Sequence, residues 1–143
     1  MSFQFDGEEL ITLENIEKLL CCIDLKAIEV NFTTKHGNRK LIEVLTAVVK
    51  NTKTDLKLVN GSLNFDPLGK LAITGKVCTS IEENIEYVKS VLETASGMPA
   101  FKTIGVNGKF FNNAGSTIVQ ELAISLALGN EYLAPLKATG LIS

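Results

Sequence analysis

Residues 28–50 read IEVNFTTKHGNRKLIEVLTAVVK, and they contain both kinds of regular structure in a fixed order. Ile28, Val30 and Phe32 alternate with polar residues, which is the pattern of a β-strand whose side chains point to opposite faces in turn. Apolar residues then recur at helical spacing, and they are Leu41, Val44, Leu45 and Val48. This spacing predicts the buried face of a helix that ends near Lys50. The stretch is therefore a strand followed by a helix.

The same order precedes this stretch and begins again after it. Phe3 and Phe5 share one face of a first short strand, and Thr12 provides a cap for the helix that follows. The apolar face of that helix contains Leu13, Ile16, Leu19 and Leu20. A third strand is predicted over residues 62–66, where Pro67 and Gly69 end it and a long loop follows.

Two helices and a fourth strand complete the pattern. Ser80 and Glu83 form a capping box, which predicts a helix start at this point. The apolar face of this third helix contains Ile81, Ile85, Val88 and Leu92. Residues 102–107 read as the fourth strand, and a last helix from Gly115 is expected to end or bend at Gly129. That helix is expected to bury Ile118, Val119, Leu122, Leu126 and Ala127.

Four consecutive strand-helix units predict an α/β fold in which parallel strands are joined by helical crossovers. Two architectures remain open: an open doubly wound sheet, or an arc of a (β/α)8 TIM barrel. A closed barrel takes ~250 residues, so 143 residues supply about half of one. We expect residues 1–143 to form a single α/β domain.

Composition excludes several classes of function. The 14 basic residues are scattered among 16 acidic ones, so no basic stripe for nucleic acid is present. No apolar run approaches the ~18–20 residues of a membrane span, and we expect a cytoplasmic protein. The chain has one histidine, His36, so it offers few of the residues that a metal site or a catalytic triad requires. Adjacent Cys21 and Cys22 cannot easily bridge each other, and Cys22 and Cys78 are expected to be small core residues.

Reactive groups of α/β proteins gather where strands end, so polar residues at those ends are the candidates for chemistry. Asp66, which closes the third strand, could act as a general base, although an aspartate that opens a turn is common without catalysis. Lys109 could bind a phosphate or carboxylate, although a single loop lysine is usually solvated. These residues predict polar side chains at the strand ends, but they do not predict a complete set of acid, base and nucleophile.

Residues 105–140 read GVNGKFFNNAGSTIVQELAISLALGNEYLAPLKATG, and a family pattern is visible in them. The segments AGST, ELA, LALG and EY resemble the barrel segment of the methylmalonyl-CoA mutases and related adenosylcobalamin-dependent acyl-CoA mutases. The earlier LNFDPLGKLAITGK, residues 63–76, resembles the preceding barrel strand of the small subunit in this family. The resemblance implies that the chain covers strands two to five of the eight. The family's cobalamin-binding domain is absent from these residues.

Three departures from the family pattern concern the substrate site. The resemblance places Phe110 where catalytic subunits have a histidine over the corrin, and phenylalanine can neither donate nor accept a proton. Thr74 falls where an arginine holds the substrate carboxylate, and a neutral hydroxyl cannot form that bidentate pair. Asn64 falls where a glutamine helps to hold the thioester. These degenerate positions imply a small, non-catalytic subunit with no catalytic, cofactor-binding or metal residues of its own.

The implied function is structural support of a catalytic large subunit, which binds adenosylcobalamin and interconverts methylmalonyl-CoA and succinyl-CoA. Two alternatives stay open: a free-standing acyl-CoA-binding module, and a small α/β enzyme that uses Asp66 and Lys109. Half a barrel has two unpaired edges and an uncovered apolar face, so we also expect self-association.

Overall fold

A computed structural model describes residues 1–34, 38–75, 80–138 and 140, in which four strands alternate with helices. The strands are β1 (Ser2–Phe5), β2 (Val30–Thr34), β3 (Gly61–Phe65) and β4 (Phe101–Ile104). The helices are α1 (Leu13–Leu20), α2 (Asn38–Asn51), α3 (Pro67–Thr74), α4 (Ile81–Thr94), α5 (Lys109–Asn113) and α6 (Ile118–Ala138). Short 3-10 turns lie at Glu8–Leu10 and Leu56–Leu58.

All four strands belong to one parallel sheet in the order β1-β2-β3-β4. Ser2 pairs with Asn31, Val30 with Gly61, and Gly61 with Phe101. Each strand therefore lies beside the next one in the chain, without the reversal of order that defines a doubly wound sheet. The α/β prediction of four consecutive βα units with parallel strands is confirmed, and the strand order is the one expected of about half a TIM barrel.

The chain divides into two compact units, and the boundaries between them fall at residues 65/66, 89/90 and 104/105. The first unit contains the sheet, and Phe32 lies at the centre of its apolar core. The Phe32 ring stacks on Phe3 and Phe5 with centroid distances of 5.9 and 6.3 Å, and Phe101 lies 6.4 Å away. Buried residues of α1 and α2 complete this core, among them Ile16, Leu20, Leu41, Leu45 and Val48.

Two predicted helix starts are confirmed at the level of individual atoms. The backbone N–H of Asn15 donates to Thr12 Oγ1 over 3.2 Å at the start of α1. Before α4, the N–H of Glu83 donates to Ser80 Oγ over 3.1 Å, while the N–H of Ser80 donates to Glu83 Oε2 over 3.0 Å. Both caps satisfy amides that have no partner inside the helix.

Other local predictions were wrong or shifted. The expected loop after β3 contains helix α3, and β4 spans Phe101–Ile104 instead of residues 102–107. Helix α6 continues through Gly129 to Ala138, since one glycine in a long helix costs only about 1 kcal/mol relative to alanine. Cys22 is exposed, because it lies in a surface turn after α1. Cys78 and His36 lie outside the described residues.

The largest difference concerns the apolar face of α6, which was expected to be buried. Ile118 and Val119 are 82% and 76% exposed, and Leu122, Leu126 and Ala127 are exposed as well. The buried residues of α6 are instead Tyr132 and Leu136. Helical spacing groups apolar residues on a helix, but it does not identify the surface that covers them. No helix among the described residues is both long enough and apolar enough to cross a membrane.

Candidate functional site

Asp66, the first residue after β3, lies at the centre of a buried polar cluster within the second unit. Its carboxylate caps α3, because the N–H of Gly69 donates to Asp66 Oδ1 over 2.9 Å. Pro67 occupies the first helical position, where its missing N–H costs no hydrogen bond. A Cβ at position 69 would overlap the Asp66 carboxylate, so the glycine allows this close approach. The sequence DPLG therefore builds a helix start around a buried charge.

Two partners from distant parts of the chain complete the hydrogen bonds of the Asp66 carboxylate. The Tyr132 hydroxyl, from α6, donates to Oδ1 over 2.8 Å. The backbone N–H of Asn107, after β4, donates to Oδ2 over 2.8 Å. Both carboxylate oxygens are thus engaged, and three donors compensate the charge that burial removes from water.

Tyr132 is a link in this cluster, since it accepts as well as donates. The backbone N–H of Leu68 donates to the Tyr132 hydroxyl over 2.8 Å, so one phenol joins the Asp66 carboxylate to the first turn of α3. Burial raises the pKa of the Tyr132 phenol far above its usual range, and the nearby Asp66 charge raises it further. The phenol therefore stays protonated at neutral pH and remains a hydrogen-bond donor.

This raised pKa predicts an alkaline dependence of stability. An unfolded tyrosine ionises near pH 10, whereas folded Tyr132 resists ionisation. The stabilising effect of the Tyr132 hydroxyl is therefore complete below about pH 10. It is lost progressively as the pH rises above that value. Tyr132→Phe should lower the free energy of unfolding by about 1–2 kcal/mol at neutral pH, and should weaken the loss of stability between about pH 9 and 11. Urea unfolding followed by circular dichroism measures both effects.

Tyr87→Phe is the matched control, because Tyr87 is the chain's other tyrosine and is 37% exposed. It should leave the alkaline dependence close to that of the wild type. An alkaline dependence that is equal in Tyr132→Phe and the wild type would contradict the assignment of Tyr132 as the residue that responds to pH.

The other candidate residues lie apart from the Asp66 carboxylate's hydrogen bonds. Phe110 and Lys109 begin α5 and are both exposed. Thr74 ends α3, where its hydroxyl donates to the Lys70 carbonyl over 2.8 Å. Asn64 belongs to β3 in the first unit, and its amide donates to Thr33 Oγ1 over 3.3 Å. Among these residues, Asp66 is the one that the structure places in a buried polar cluster.

Sequence reasoning missed the role of Tyr132, although the EY pair formed part of the family pattern. Tyr132 lies among apolar residues of a predicted helix, which indicates that it is buried. A buried phenol needs a hydrogen-bond partner, so the sequence could have predicted that Tyr132 has one. Nothing in the sequence identified that partner as Asp66, 66 positions earlier. In the described part of the chain, no group of three or more His, Cys, Asp or Glu residues could hold a metal ion.

Comparisons with known proteins agree with the pattern in residues 105–140. The family model for methylmalonyl-CoA mutase matches residues 5–143. The chain is 32% identical over 133 residues to the methylmalonyl-CoA mutase small subunit of Porphyromonas gingivalis, a match that covers 91% of this chain and 21% of that protein. It is 37% identical over 83 residues to the small subunit of Streptomyces virginiae, covering 58% of this chain and 13% of the relative.

A relative with a different name also matches most of the chain. The 2-hydroxyisobutanoyl-CoA mutase large subunit of Aquincola tertiaricarbonis is 26% identical over 137 residues, which cover 95% of this chain and 24% of that protein. The chain spans about a fifth of the length of the curated relatives that it matches along most of its own length. Because the family model covers nearly all of the sequence, the chain belongs to the methylmalonyl-CoA mutase family.

Proposed function

We propose that this chain is a structural, non-catalytic part of the small subunit of an adenosylcobalamin-dependent methylmalonyl-CoA mutase. In this proposal residues 1–143 act as one α/β domain, corresponding to barrel strands two to five. The domain packs against a catalytic large subunit, which interconverts methylmalonyl-CoA and succinyl-CoA. The identity of 32% to the Porphyromonas gingivalis small subunit, against 23% to the large subunit of the same organism, supports the choice of subunit.

The observation on which the proposal depends is the chemistry of three positions. Phe110 presents an apolar side chain that is 40% exposed on α5, at the position that the family pattern assigns to a histidine. Thr74 and Asn64 present a hydroxyl and an amide where the family pattern has an arginine and a glutamine. None of these side chains can exchange a proton near pH 7 or neutralise a carboxylate. A thioester with an acidic tail would find no charged partner at these positions.

The same chemistry bears on the cofactor. A residue beside a corrin that assists proton transfer or polarises a carbonyl must offer a polar hydrogen or a lone pair, and the ring of Phe110 offers neither. Phe110 therefore does not fit the role of the histidine beside adenosylcobalamin. We assign cofactor binding to the large subunit for this reason.

A small α/β enzyme that uses Asp66 and Lys109 is not favoured. A general base needs an oxygen that can approach the proton it removes. Oδ1 of Asp66 accepts from Gly69 and Tyr132, and Oδ2 accepts from Asn107. These bonds give Asp66 a sufficient structural role as the cap of α3.

The isolated chain should not turn over methylmalonyl-CoA. With adenosylcobalamin and methylmalonyl-CoA present, we expect succinyl-CoA formation equal to the rate without protein, measured by chromatography of the acyl-CoA products. Calorimetry with the same acyl-CoA should give no heat of binding. Turnover would overturn the non-catalytic assignment, whereas binding without turnover would favour an acyl-CoA-binding module.

The exposed face of α6 supports a role in packing against another protein. At 100° per residue, Ile118, Val119, Leu122, Leu126 and Leu133 fall within a stripe roughly 100° wide. Their exposed fractions run from 53% to 82%. Contiguous apolar surface of this kind is typical of protein interfaces. The sheet adds two edges, because β1 and β4 each have a single neighbour among the described strands.

These surfaces predict self-association when the large subunit is absent. Sedimentation velocity should show a mass that rises with concentration, and Leu122→Glu combined with Leu126→Glu should weaken association at least about tenfold, since each charge adds a desolvation cost at the interface. Leu58→Glu is the control, because Leu58 is 49% exposed on a separate 3-10 turn. A wild-type chain that stays monomeric at high concentration would contradict this prediction.

A further inference from the structure

Two thiols lie side by side at the end of α1, in the first unit. Cys21 is the C-terminal cap of this helix, and Cys22 follows it with a φ of +67°. A left-handed backbone is uncommon for a residue other than glycine. It brings the two sulfur atoms to 3.6 Å from each other, and both cysteines are exposed. The pair is thus an accessible dithiol.

The pair lines an open depression of about 420 Å³. Leu20, Leu25 and Val48 form its apolar part, while Glu17 and Asp24 contribute carboxylates. A reagent with an aromatic or aliphatic group can place that group against the apolar part while it reacts with the sulfurs. The depression therefore provides room for a substituent larger than a bare ion.

Disulfide formation within the pair is disfavoured by covalent geometry. Consecutive Cα atoms are about 3.8 Å apart across a trans peptide, whereas disulfides usually need about 4.4–6.8 Å. Bonding through a third atom avoids this strain. Two sulfurs about 2.3 Å from a pyramidal three-coordinate centre, at an angle of about 100°, are roughly 3.5 Å apart, which is close to the observed separation of 3.6 Å.

The electrostatics of the pair favour a bridging partner as well. The hydrogen bond with Cys22 raises the pKa of the Cys21 thiol, and the charge of Cys22 raises it further. Ionising both sulfurs would place two negative charges side by side, so the Cys21 thiol resists ionisation in the free protein. A bridging atom avoids this pair of charges, because it replaces both protons with covalent bonds.

We propose that Cys21 and Cys22 form a chelating site for a monosubstituted trivalent arsenical or a similar three-coordinate thiophilic electrophile. Such a centre carries its own organic substituent and needs two sulfurs, and the described residues offer no metal-binding group of three or more ligands. With an arsine oxide, each thiol loses its proton and two As–S bonds form. The arsenic–oxygen bond breaks, and the oxygen leaves as water. Arsenic stays trivalent, so no oxidant or reductant is required.

Phenylarsine oxide is the probe that tests this site. Intact-protein mass spectrometry should show one adduct, with the mass of the reagent less one water. The adduct should survive an excess of a monothiol and should be reversed by a small dithiol. Cys21→Ser and Cys22→Ser should each weaken binding about 100-fold or more, since a single sulfur loses the chelate effect.

Cys78→Ser is the matched control and should bind as the wild type does, because it removes the third cysteine of the chain. Circular dichroism should show the wild-type thermal unfolding for Cys21→Ser and Cys22→Ser, since both positions are exposed, and this separates loss of the site from loss of the fold. Adducts that a monothiol removes from the wild type, or that persist in Cys21→Ser or Cys22→Ser, would overturn the proposal. Binding should also weaken in denaturing urea; equal affinity there would show that adjacency in sequence, and not the folded geometry, forms the site.

Discussion

Asp66→Ala is expected to lower the free energy of unfolding by about 3 kcal/mol, because it leaves several buried donors without an acceptor. The donors are the N–H groups of Gly69 and Asn107 and the hydroxyl of Tyr132. An unsatisfied buried polar group costs about 1–3 kcal/mol, and partial relaxation reduces the sum over several groups. Urea unfolding at neutral pH, followed by circular dichroism, measures the change.

Asp55→Ala is the matched control for this substitution. Asp55 also caps a helical turn, and the N–H of Lys57 donates to its Oδ1 over 3.0 Å, but this residue is exposed. Water can replace the lost acceptor there, so we expect a loss of only about 0.5–1 kcal/mol. Asp66→Asn should fall between the two, since the amide keeps one acceptor oxygen. Equal losses in Asp66→Ala and Asp55→Ala would contradict the central place of Asp66.

Gly61→Ala is expected to destabilise the protein by about 3 kcal/mol or more, because a methyl group at this position has nowhere to move. Gly61 begins β3 between two neighbouring strands. A Cβ here would overlap the carbonyl oxygen of Val30 in β2 and would lie 2.7 Å from Cε2 of Phe101 in β4. One neighbour is backbone and the other is a buried ring, so relief requires the strands to separate.

Gly129→Ala is the same chemical change, but it is expected to raise the stability of the protein instead of lowering it. Gly129 lies inside α6, and an added Cβ would meet nothing within 4 Å. Alanine should therefore stabilise the chain by up to about 1 kcal/mol through helix propensity. Thermal unfolding of both variants measures the contrast. A Gly61→Ala variant as stable as the wild type would show that β3 does not pack as described.

Much of the fold could be predicted from the sequence, because local patterns specify local structure. Alternation at Val30 and Phe32 and helical spacing from Leu41 to Val48 depend only on neighbouring residues. The caps at Thr12 and Ser80 are equally local. Helix α3 was missed because Pro67 and Gly69 read as a strand stop, although proline also suits the first turn of a helix.

The polar cluster could be predicted less well, because its contacts are distant in sequence. Asp66 and Tyr132 were both visible as residues, but their hydrogen bond depends on how α3 and α6 pack. The exposed face of α6 was missed for a related reason, since periodicity shows that Leu122 and Leu126 share a face without showing what lies opposite. The separation of the Cys21 and Cys22 sulfurs depends on a left-handed backbone that adjacency alone does not predict.

The strand order has a consequence for how this chain can be made. Ser2 pairs with Asn31, Val30 with Gly61, and Gly61 with Phe101, so each new strand joins the one most recently completed. The segments that join consecutive strands are all shorter than 40 residues, and the entropy cost of closing a loop rises only slowly with its length. No strand has to insert between two others. As synthesis proceeds, each of β2, β3 and β4 emerges after the strand with which it pairs. These four strands can therefore join the sheet one at a time during translation, in the order β1 to β4.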